Sequence, residues 1–142
     1  MSDNPFSNFE IRIPKKFSDQ VKNYCSISKS ELKPFERQVD FWYFAFLYAV
    51  KKELRPVHYD NKDMVHIISG NILSKDPYRI KHIQAVYLGV TKDIQSFANH
   101  RQVFDFATNL ANAGIPHIIQ IASDSDNKPL WNIFDTIEEL IA

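Results

Sequence analysis

Cys25 is the single cysteine of the chain and the only side chain able to act as a thiolate nucleophile, and histidines that could activate it are present. A reactive thiol needs a nearby base and a polar setting. Cys25 instead continues the apolar stripe of Phe17, Val21 and Tyr24 at helical spacing, where a free thiol behaves as a small core hydrophobe. His58, His66, His82, His100 and His117 are scattered, without the i, i+4 pairing or cysteine–histidine spacing of a zinc site. Asp124, Asp126 and Lys128 resemble the start of a calcium loop. However, Lys128 stands where the third oxygen ligand belongs, Pro129 replaces the turn glycine and no glutamate closes the loop, so the segment reads as a surface loop. With only three glycines, Gly70, Gly89 and Gly114, the chain cannot build the usual glycine-rich phosphate cradles. The expectation is therefore a protein that is not an enzyme, with no catalytic residue, no metal and no cofactor.

The residues most able to recognise something stand near the N-terminus. Phe9, Ile11 and Ile13 alternate with Asn8, Glu10 and Arg12, the period of two expected when a strand buries one face and wets the other. Asn8, Glu10 and Arg12, with Lys15 and Lys16 beyond Pro14, are the candidate DNA-facing residues. Arginine can take guanine bidentately, asparagine adenine, and glutamate the amino group of cytosine. Against this, seventeen basic residues balance seventeen acidic ones, so no net field draws the chain onto a duplex, and Glu10 would oppose the phosphates.

The surrounding pattern predicts a mostly α fold, α+β at most. It reads as one helix-rich domain over 1–142 with a short N-terminal strand, room for one or two further short strands, and residues 1–7 loose. A helix of about three turns follows Pro14. A second runs from Pro34 to about Leu54 and carries the unbroken apolar stretch 41–50, which must be covered on most sides. That stretch is about half of the roughly 20 residues a membrane-spanning helix needs. The segment 57–74 reads as a loop with a short strand or helical turn.

Asp76-Pro77 starts a third helix whose buried stripe is Ile80, Ile83, Val86, Tyr87 and Val90. Asn99 with Gln102 caps a fourth, which Gly114 is expected to stop. The segment 115–122 is undecided between strand and helix. Leu130, Ile133, Phe134, Ile137, Leu140 and Ile141 mark a last amphipathic helix. The first residues carry neither the basic nor the apolar region of a signal peptide and one cysteine allows no internal disulfide, so the expected compartment is the cytoplasm.

Two resemblances bear on function. The run Asn8-Phe9-Glu10-Ile11-Arg12-Ile13-Pro14, followed by a short and then a longer helix, resembles the ribbon-helix-helix DNA-binding proteins. That resemblance implies a homodimer whose paired strand presents Asn8, Glu10 and Arg12 to the major groove, as a transcriptional regulator would. The order Ile11-Arg12-Ile13-Pro14-Lys15-Lys16, then Pro34-Phe35, then Leu110-Ala111-Asn112-Ala113-Gly114-Ile115 is similar to small accessory proteins of bacterial DNA phosphorothioation (Dnd) loci. This second resemblance implies a non-catalytic adaptor in a prokaryotic DNA-modification or defence system, acting by protein–protein contact with a larger protein of the same locus. The adaptor is the favoured expectation, the DNA-binding dimer the alternative, and a small enzyme assembled from scattered residues a third.

Overall fold

The computed structural model describes residues 4–141. Strand β1 (Glu10–Pro14) runs antiparallel to β2 (Met64–Ser69), with Arg12 opposite His66 and Ile13 opposite Val65. A bulge between Ile11 and Arg12 shifts the register. Helices α1 (Ser18–Asn23), α2 (Gln38–Lys51), α3 (Pro77–Thr91), α4 (His100–Ala122) and α5 (Pro129–Ile141) supply the rest, joined by short 3-10 turns. The fold is mostly α with a two-stranded sheet whose first strand is N-terminal, as the hydrophobic periods predict.

The core is built around α2 packed on α4. Phe41, Trp42, Ala45, Phe46 and Ala49 of α2 are wholly buried, which is how ten consecutive apolar residues coexist with water. Trp42 stacks between Phe46 and Phe104, and Phe104 meets Phe6 and Phe9. The start of α2 is fixed by charge. Asp40 reaches back to the Arg37 backbone N–H (3.1 Å) and its side chain (2.8 Å), while Arg79 of α3 donates to the same carboxylate at 3.0 Å. Burial works to raise the Asp40 pKa, but these arginine hydrogen bonds outweigh it and hold the carboxyl below its ordinary value.

Several expectations about the elements need correction. Residues 4–7, expected to be loose, are pinned: Asn4 Nδ2 donates to the Gly70 carbonyl (3.0 Å) and to Ser74 Oγ (3.1 Å), and Phe6 is fully buried. Residues 1–3 of that segment lie outside the described residues. The helix after Pro14 is shorter than three turns, ending at Asn23, because the chain turns so that Tyr24 and Ser26 can exchange backbone hydrogen bonds with Phe35. That bridge also takes Pro34 and Phe35 out of α2, which begins at Gln38 and ends at Lys51 rather than Leu54.

Asp76 does precede α3, yet its side chain makes no cap and accepts from Arg37 instead; Val90 of the expected stripe faces solvent. The largest difference is at Gly114, which ends nothing. Helix α4 continues through Gly114 and Pro116 to Ala122, absorbing the undecided segment 115–122. A Cβ on Gly114 would stand 2.0 Å from the Ala45 carbonyl oxygen, so this glycine serves close approach of α4 to α2. Pro116 removes one helical hydrogen bond, but Ile115, Ile118, Ile119 and Ala122 on either side are buried, and that packing carries the helix through.

Candidate functional site

The wet face of β1 opens into a cleft of about 690 Å³. Asn8, Glu10 and Arg12, singled out by their alternation, stand together along one wall. Facing them are Arg101, Asp105, Thr108 and Asn109 at helical spacing on α4, and His58, Tyr59 and Asn61 close a third side. Phe104 and Met64, both buried, form the apolar floor. The segment around His58 is fixed to α4: the Val57 N–H donates to the Asn109 carbonyl (2.9 Å), and Asn112 Nδ2 donates to the Val57 carbonyl (3.0 Å).

Charges in the cleft are paired within its walls. Arg12 donates to Glu10, and Glu10 also has His66 Nδ1 at 3.6 Å. The Arg101 guanidinium lies over the Phe9 ring, 4.0 Å from its centroid, and approaches Asp105 only to 4.0 Å. Partial burial raises the Asp105 pKa above its ordinary value, while Arg101 and His58 pull it down. Lys15 and Lys16 stay exposed outside the cleft, with the Lys16 ammonium over the Phe17 and Tyr59 rings.

The other chemistry-bearing residues are elsewhere. Cys25 is half-buried just past the end of α1, with its thiol pushed up to about 12 by burial and by the Asp40 charge. His82 shares a 2.6 Å hydrogen bond with Tyr43, and burial lowers its pKa. His117 packs near the Tyr48 ring. Asp124 accepts from the Asp126 N–H in the surface loop, and Lys128 pairs with Glu31. Among the described residues no group of three or more His, Cys, Asp and Glu is arranged to hold a metal ion. No helix among them is long and apolar enough to cross a membrane.

A second surface stands out on α5, which leaves much of its apolar stripe in solvent. Asn132 and Thr136 face inward while Trp131, Phe134, Ile137 and Ile141 are 43%, 48%, 38% and 78% exposed. This orientation has a local cause. Asn132 Nδ2 donates to the carbonyls of Asp124 (2.9 Å) and Asn127 (3.1 Å), so this amide must turn inward to close the connection from α4. Only Ile133 of the expected apolar stripe is buried.

Ile27 and Leu32, in the loop whose Glu31 is tied to α5, are exposed as well. The Glu31 carbonyl accepts from the Leu130 N–H (2.9 Å), and its carboxylate accepts from the Trp131 indole (2.9 Å). That indole bond, with Lys128, holds the Glu31 carboxyl below its usual range. No protein-family model, curated protein or solved structure matches the chain.

Proposed function

We propose that this chain is a cytoplasmic, non-catalytic accessory protein that binds a larger protein of a prokaryotic DNA-modification or defence locus through the outward face of α5. The supporting observation is the outward face of α5: four large apolar side chains in solvent on one helix, with Asn132 and Thr136 turned inward. Scattered exposed apolar residues are ordinary, whereas a contiguous stripe of them marks a contact surface. Trp131 and Phe134 meet edge to face and provide the aromatic anchors typical of such contacts. The choice of a DNA-modification locus rests on the pattern shared with the Dnd accessory proteins.

Direct reading of DNA by a paired β1 has less support. Its backbone pairs with β2 of the same chain, and Glu10 occupies Arg12. The test is co-expression with each protein encoded beside this one, followed by size exclusion. A stoichiometric complex with one of them is expected, lost in Phe134→Asp/Ile137→Asp while the melting temperature is unchanged. A complex that survives the double substitution, or no complex with any neighbour, would refute the proposal.

A further inference from the structure

We propose that the outward face of α5 receives a cationic amphipathic helix of its partner, an inference that rests on α5 being the contact face. At about 3.6 residues per turn, Trp131, Phe134, Ile137 and Ile141 fall on one strip of the helix. Glu138, one turn after Phe134, stands within that strip, and Asp135 and Glu139 lie one turn apart along its adjoining edge. All three carboxylates are exposed. Trp131 is already positioned, its indole held by Glu31 at 2.9 Å and its ring edge to face with Phe134, so little ordering of this side chain opposes docking.

The chain carries seventeen basic and seventeen acidic residues, but they are unevenly placed. Lys128 is the single Lys or Arg after Arg101, and it pairs with Glu31 at 3.5 Å. Among the described residues Asp135, Glu138 and Glu139 form no ion pair. The three carboxylates of α5 are therefore left to water, beside an apolar strip that water solvates poorly. A partner that covers the strip must bring positive charge to that edge, because a desolvated carboxylate without a counter-charge costs free energy.

That requirement narrows the occupant. A second copy laid on the same face would bring two sets of these carboxylates together, and an anionic lipid surface would meet them with charge of the same sign. The occupant's backbone is limited as well. The interior of α5 has its N–H and C=O groups engaged along the helix, so it offers no edge to an extended strand, whereas a helix satisfies its own backbone and packs by its side chains. The 13 residues of α5 give it a length of about 20 Å, room for a helix of about four turns with apolar residues on one side and Lys or Arg along their border.

Fluorescence titration of the full chain tests this, because Trp42 is buried and Trp131 exposed. The probes are three synthetic helical peptides of about four turns. One has leucine on one side and lysine bordering it, one has glutamate for each lysine, and one has the first composition with its leucines spread around the helix. The first is expected to bind saturably with a blue shift, and to lose about tenfold in affinity or more at high salt or with Asp135→Asn/Glu138→Gln/Glu139→Gln. The other two are expected to bind about tenfold more weakly or not at all. No saturable binding of the first peptide, equal binding of either of the others, or undiminished binding by the neutralised chain would overturn the proposal. So would self-association or vesicle binding that Phe134→Asp/Ile137→Asp abolishes. Co-expression keeps the two readings separable: a complex lost with Phe134→Asp/Ile137→Asp but undiminished in the neutralised chain leaves the α5 contact standing and overturns the cationic helix.

Discussion

Cys25 is a residue whose local pattern and whose place in the fold differ. Its spacing with Val21 and Tyr24 places it mid-helix, whereas it stands one residue past the C-cap of α1, bridged to Phe35. Burial and the Asp40 charge act on the sulfur at that position. With the thiol pushed up to about 12, almost no thiolate exists at neutral pH, and the thiolate is the reactive form. An alkylating reagent at pH 8 should therefore label the native protein far more slowly than the denatured one, with the native rate following transient opening. Native labelling as fast as that of an unfolded chain would contradict this. In the cleft, Asn8, Glu10 and Arg12 were legible because strand alternation is a local signal. Arg101, Asp105 and His58 were not, since nothing within a few residues of each reveals that it will face β1 across the fold.

At the scale of elements, the periodic stretches were legible and the stops were not. The Asn99 cap of α4 is present as predicted, its side chain accepting from the Gln102 N–H at 3.1 Å, because capping is a contact between near neighbours. Gly114 misled because glycine signals both a helix end and a helix contact, and only the position of Ala45 decides between them. Two substitutions distinguish these roles. Gly114→Ala forces a methyl into the Ala45 carbonyl and should destabilise the protein by about 1–3 kcal/mol or more, as overpacking does. Gly89→Ala in α3 meets nothing within 4 Å and should stabilise it by about 0.5–1 kcal/mol, since an exposed helical glycine costs conformational entropy. Denaturant melts read both, and equal effects of the same sign would remove the distinction. Helix α5 has the same limit: its amphipathic pattern is plain in the sequence, but which face turns inward is set by Asn132 closing the preceding loop.

For the molecule as a whole, the core and the contact surfaces divide between different elements. Helices α2 and α4 bury the apolar surface that supports the fold, with Trp42 and Phe104 at their junction, so α5 can leave its apolar stripe outside. The cleft and the α5 stripe share no residue. The α5 stripe is the surface proposed to hold a partner. Amide hydrogen exchange of this chain, free and in complex with the neighbouring gene product that co-elutes with it, tests that claim most directly. Slowed exchange concentrated in residues 129–141 and in the adjoining loop 27–32, with β1 and the segment 58–61 unchanged, is the predicted result. Protection centred on the β1 cleft, with 129–141 exchanging as in the free chain, would contradict it.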